Sequence, residues 1–371
     1  MEFSMKDMYR ASIEHATGGR NTVMYDDFGN PNVMVCIPRF DVSILGEDEF
    51  GTGVHPAFNV DGKIVNEIWI GKYQASDMGG IPVSLKGKSI INTVGTQQAQ
   101  DLTRKKGKGW HILTNTEWSA LVLPILKRGL IPHGNITSTR RDPVNPNEMG
   151  GEIDGDVKIM EGRDWEFIKT GTGPDTYSHD MTPFGVFDLF GNAWELTTGV
   201  NIHGCGALIY SGEEDGTPVN RPFIEKVDLV SHDFIVNNVT SHYYDGWYFD
   251  GLHFGSGSTL TENGLLTWTN KSATLIQFSD IADRMDALGK NRIKVLKQLC
   301  LVPMDFCKKD GFCSQIYAEA TYKSIQRGCR NGDGDSLWKG HGRFYTFDNA
   351  YLSYDHSSGS CHGFRPCYVS V

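Results

Sequence analysis

One stretch of this 371-residue chain carries a helical period with start and stop signals at its two ends, and little else in the sequence does. In "TNTEWSALVLPILKRG", Thr114 and Glu117 form a capping-box pattern, in which each side chain satisfies a free backbone N–H. Trp118, Leu121, Val122, Ile125 and Leu126 then recur at helical spacing on one face, and Lys127-Arg128-Gly129 ends the run. Pro124 inside it is expected to kink or shorten the helix. A shorter helix is expected between 96 and 106, stopped by basic residues and Gly107, and another near 280–300. Strands are expected at 33–39 ("VMVCIPR") and 65–70 ("VNEIWI"). From 132 to 185, Gly, Asn, Asp, Thr and Pro dominate, so loops and short strands are expected there. "FGVFDLFGNAWEL" (184–196) reads as strand–turn–strand with Gly191-Asn192 at the turn. With 43 glycines and 11% aromatic residues, many turns and loops around a packed centre are expected, more than a helical bundle.

Size and charge narrow the function. The length suffices for one large domain with a substantial core. No repeat or low-complexity linker divides it, so a single domain over 33–371 is expected, preceded by an N-terminal segment 1–32 and carrying loop insertions at about 200–315. A net charge of -10 argues against nucleic acid as a partner, because phosphate binding needs a basic surface. "EFSMKDMYR" lacks the apolar run of a secretory signal, and no run of 18 apolar residues promises membrane insertion. The eight cysteines form no CxxC pair and no regular framework, so reduced, mostly buried thiols are expected and zinc is not.

Several motif fragments fail on inspection. "GKS" (87–89) has Pro82 where a phosphate loop needs Gly. "NGDGDS" (331–336) starts like a calcium loop, but Ser336 replaces the turn Gly and Gly342 the bidentate Glu. "GSCHG" (359–363) would place Cys361 as a nucleophile, yet only eight residues follow where a helix is required. Asp188, Asn192 and Glu195 could offer oxygens to calcium, but turn and strand-pairing roles are the preferred reading. No catalytic residue, metal or cofactor is assigned, and the chain is read as a non-enzyme.

Four segments in order carry a resemblance: "KGWHILTNTEWSALVL" (108–123), "TGTGPDTYSHDMTPFGVFDLFGNAWEL" (170–196), "RGC" (327–329) and "GFRPC" (363–367). Together they resemble the formylglycine-generating-enzyme type of C-type lectin fold, over roughly 33–371 with 200–315 poorly matched. Leu196 and Cys329 depart from the family pattern, and the copper-binding cysteine pair of the oxidases is missing, since only Cys329 and Cys361 lie between Arg327 and Gly363. The sugar-binding calcium motifs of animal lectins are absent as well. A subset of the family is more similar: the variable proteins of diversity-generating retroelements, including tropism determinants at phage fibre tips. Their diversified segment lies where this chain has 331–362.

In such systems, as the resemblance implies, randomised adenines in AAY codons never yield Glu, Gln, Lys, Met or Trp. Across the thirty-two positions from Asn331 to His362, only Trp338 and Lys339 belong to that excluded set. The composition also suits a binding face, because Tyr gives contact area with few rotatable bonds while Ser, Gly and Asn adapt their hydrogen bonds. Tyr345, Phe347, Tyr351 and Tyr354 are the candidate anchors. Asn331, Asp333, Asp335, His341, Arg343, Asn349, Asp355 and His356 are the candidate polar contacts. Trp118, Trp194, Phe344, Leu352 and Phe364 are assigned to the core. The expectation is a viral or prophage receptor-binding protein, on the virion or in the cytoplasm before assembly, whose partner is a protein or glycan receptor on a target-cell surface. A non-diversified module of the same fold, or an oxidase of the formylglycine-generating type, are the alternatives.

Overall fold

The computed structural model describes residues 4–92, 94–130, 132–136, 147–148, 150–155, 167–202, 208–210, 217–223, 253–255, 258–260, 266–268, 294–295, 297–300, 315–317, 323–328, 347–351 and 362–370. Helices are few and strands short, and the chain is α+β. Two five-stranded sheets organise it. The first runs in the spatial order Asn21–Tyr25, Pro31–Pro38, Glu67–Gly71, Pro366–Tyr368, Trp110–Ile112, with every neighbouring pair antiparallel. The second runs Leu208–Tyr210, Trp194–Ile202, Lys323–Arg327, Phe347–Tyr351, and His362–Gly363 lies parallel to the start of Trp194–Ile202. The C-terminal chain therefore serves both sheets. It leaves the second at Gly363 and enters the middle of the first at Pro366.

The segment before residue 33 belongs to the same architecture. The helix Met5–Thr17 is closed at its start by a Ser4/Asp7 capping box and at its end by Gly18 in the left-handed region. It packs on Asn21–Tyr25, the edge strand of the first sheet. The expected strands appear one or two residues displaced, as Pro31–Pro38 and Glu67–Gly71, and the expected short helix is Thr96–Arg104.

The capped helix spans Asn115–Lys127 with both capping-box bonds made, and it continues through Pro124 instead of ending there. It is not amphipathic. Ser119, Ala120 and Leu123 are buried along with the predicted apolar face, as are Asn115, Thr116 and Glu117. An apolar helix covered all round belongs inside a core, and this one packs on Trp194–Ile202 and on the turns around residues 42–58. Trp118 is fully buried, edge-on to Phe190 with ring centroids 5.5 Å apart; Trp194 and Phe364 are buried too. Phe344, Leu352 and most of 280–300 lie outside the described residues.

The expected strand–turn–strand at 184–196 is half right. A strand begins at Trp194, but 184–190 is a chain of turns touching its neighbours through isolated bridges at Phe187 and Gly191. The reason is close backbone approach. A Cβ on Gly191 would fall 2.6 Å from the Asn135 nitrogen, and one on Gly328 would fall 2.7 Å from the Leu189 carbonyl oxygen. Both glycines also have positive φ, at 80° and 77°. The apolar pattern of 186–190 reports burial beneath two crossing loops rather than strand pairing.

Candidate functional site

Of the twelve residues assigned to the binding face, Asn331, Asp333, Asp335, His341, Arg343, Tyr345, Tyr354, Asp355 and His356 lie outside the described residues. Phe347, Asn349 and Tyr351 sit on the strand Phe347–Tyr351, opposite Arg327, Ile325 and Lys323 respectively. That strand ends the described order of the second sheet. What the structure describes in detail is the support on either side of 331–362, and each side is held by a buried arginine.

Arg327 closes the strand Lys323–Arg327, with its side chain fully buried. Its Nε and Nη2 donate to Asn115 Oδ1 at 2.9 and 2.6 Å, and Nη2 also donates to the carbonyls of Leu299 and Cys300. Asn115 Nδ2 donates to the same Leu299 carbonyl. One guanidinium thus joins the second sheet, the first turn of the central helix and the 299–300 turn. Burial lowers its pKa to about 10, still far above neutrality, so the charge is kept.

Arg365 holds the other side, where the chain crosses between sheets. Its Nε donates to Glu195 Oε2 at 3.1 Å, and its Nη2 bonds Glu195 Oε1. Nη1 donates to the Gly71 carbonyl at 2.9 Å and Nη2 to that of Phe187 at 2.8 Å. A two-pronged pair with a carboxylate, both partners fully buried, fixes direction as well as distance. Gln74 Nε2 completes the shell of Glu195 and also donates to the carbonyls of Asp188 and Ala193.

The three candidate calcium oxygens lie in and around this network. Glu195 is the partner of Arg365. Asn192, at φ 65°, accepts from the Ile168 N–H and from Asn135 Nδ2, and donates to Gln74 and the Ile168 carbonyl. Its amide works as a piece of sheet edge, the turn role preferred from sequence. Asp188 is also in the left-handed region; Oδ2 accepts from the Gly171 N–H at 2.7 Å and Oδ1 has no partner. Burial pushes its pKa up to about 6.

No protein-family model matches the sequence, and the comparison with curated proteins returned no match.

Sequence reasoning located Arg327 and Arg365 only as motif letters and missed what they do. Arg327 ends the strand Lys323–Arg327 and Arg365 lies just before the terminal strand, but nothing in their sequence neighbours marks the partners they take. Gln74, Asn115 and Asn220 gave no signal at all. Nor did the convergence of His111, Glu117 and Cys367, whose ligand atoms lie within 4.8 Å of one another. Two of the three are six residues apart and the third is in the last strand, so no spacing rule applies to them.

Proposed function

We propose that this chain is a non-catalytic ligand-binding protein on a C-type lectin-type scaffold, with 331–362 as a diversified face for a protein or glycan receptor on a target cell. The carrying observation is that buried arginines anchor both flanks of 331–362 to one scaffold. Arg327 fastens the chain four residues before Asn331, and Arg365 fastens it three residues after His362. A stretch held at both ends by groups outside itself can change its sequence without moving its supports. The twelve candidate contacts, from Asn331 to His356, all fall between those anchors. No helix among the described residues is long and apolar enough to cross a membrane.

The coding DNA tests this reading directly. A near-copy of codons 331–362, differing only at template adenines and lying beside a reverse transcriptase gene, is the expected finding. Absence of any such copy would sink diversification and leave a fixed binding module of the same architecture.

A further inference from the structure

We propose that His111, Glu117, Cys367 and Asn220 form a closed structural site for one divalent transition-metal ion, with zinc as the fitting metal. Three elements meet there: the strand Trp110–Ile112, the first turn of the helix Asn115–Lys127, and the terminal strand Pro366–Tyr368. Register forces the meeting, because Cys367 lies directly opposite His111 in the first sheet. All three side chains are buried, Glu117 and Cys367 fully and His111 to within 2%.

The hydrogen bonds fix which atoms could face a cation. His111 Nδ1 faces the Gly109 carbonyl at 3.1 Å, and since a carbonyl only accepts, Nδ1 carries a proton. That leaves Nε2 as the ligating nitrogen of the neutral ring, 2.8 Å from Glu117 Oε1. Two lone pairs at that distance require something positive between or beside them, either a second ring proton or a metal ion. A histidine that donates its far N–H to a backbone carbonyl has the outer-shell arrangement usual for metal ligands. The carboxylate is oriented in turn, since Oε2 accepts the Thr114 N–H and Oε1 accepts from Asn220 Nδ2.

Asn220 supplies the independent observation. Its backbone is pinned by bonds in both directions with the segment Asn59–Asp61, and Nδ2 is used on Glu117 and on the Ala57 carbonyl. Its Oδ1 is buried and has no partner, on an amide already in contact with Glu117. A buried amide oxygen without a donor is costly, and a metal ion would satisfy it.

The donor set would then be an imidazole nitrogen, a thiolate sulfur and a carboxylate oxygen within 4.8 Å of one another, with the Asn220 amide oxygen as the fourth ligand that a closed structural site needs. Zinc would displace the proton of the Cys367 thiol and the one shared by His111 and Glu117. One dication, one thiolate and one carboxylate sum to zero charge, the condition a dry core demands. Such an ion would lock the last strand to the helix that Arg327 also grips.

The test uses the full chain, expressed in zinc- or cobalt-supplemented medium without an affinity tag. About one ion per chain is expected, and the cobalt form should show a thiolate-to-cobalt charge-transfer band in the near ultraviolet. Cys36→Ser should keep the band, whereas Cys367→Ser should abolish it and Asn220→Ala should weaken zinc retention about tenfold or more. Folded wild-type chain with under about a tenth of an equivalent of either metal would overturn the proposal. So would bound cobalt without a thiolate band, or a band that survives Cys367→Ser. If that variant fails to fold, wild-type chain without about one bound ion, or bound cobalt without a thiolate band, still overturns the proposal.

Discussion

Asp188 carries a conflict that a single atom could relieve. It is buried in the left-handed backbone region with one oxygen unpartnered, and its pKa rises from 3.8 to about 6. A carboxyl whose folded pKa is raised binds more protons folded than unfolded, so stability falls as pH rises from 3.8 to about 6 and stays lowered above. That shift corresponds to something on the order of 3 kcal/mol. Asp188→Asn keeps the acceptor for the Gly171 N–H and tolerates positive φ, yet cannot ionise. Its melting temperature relative to wild type should therefore climb between pH 4 and pH 6 and level off beyond. A difference that stays flat with pH would show that Asp188 is not held neutral. Trp118 gives a simpler case: fully buried against Phe190, it should cost about 3–5 kcal/mol on truncation to Ala, read by denaturant melting.

Among the elements, the central helix and the terminal strand divide the work of joining two sheets. The capping box of Thr114 and Glu117 starts the helix, and Glu117 also meets His111 and Asn220, so the cap is part of a larger buried cluster. Thr114→Ala should cost about 1 kcal/mol for the lost cap, as elsewhere. Arg365→Met is a harsher change. It leaves Glu195 buried without its cation and frees the carbonyls of Gly71 and Phe187, so a loss of about 3–5 kcal/mol is expected in the same melts. A loss under about 1 kcal/mol would mean that Gln74 alone can hold Glu195.

At the scale of the whole molecule, buried Arg327 and Arg365 lie on either side of 331–362, and the binding face proposed between them makes its own prediction. If 331–362 is a tolerant face, Tyr351→Ala and Tyr354→Ala should shift stability by about 0.5 kcal/mol, the range of surface positions. Tyr351 is the sharper probe of the two, because its strand pairs with the one that ends in buried Arg327. Losses of several kcal/mol at both tyrosines would mark the stretch as core and remove the basis of the proposed function. Once a ligand is in hand, the same variants should weaken its binding by about 2 kcal/mol if the tyrosines are central anchors.

Local signals were legible in the sequence wherever the physics is local. The Thr114–Glu117 capping box, the short helix Thr96–Arg104, the two apolar strands and the Gly191-Asn192 turn all depend on residues within a few positions of one another. The contrast between the polar 331–362 stretch and the apolar strand after it was equally plain. Periodicity could not say that the helix is buried well beyond its apolar face, because a helical period does not report a second layer arriving from elsewhere in the chain. Nor could it separate a strand at 184–190 from an apolar loop pressed under Gly134 and Gly328, since both bury the same residues. Partners more than a hundred residues apart were decided by tertiary structure alone: Arg327 with Asn115, Arg365 with Glu195, and Cys367 beside His111. A buried polar or charged group must find its partners wherever the fold delivers them, and that distance leaves no trace in local sequence.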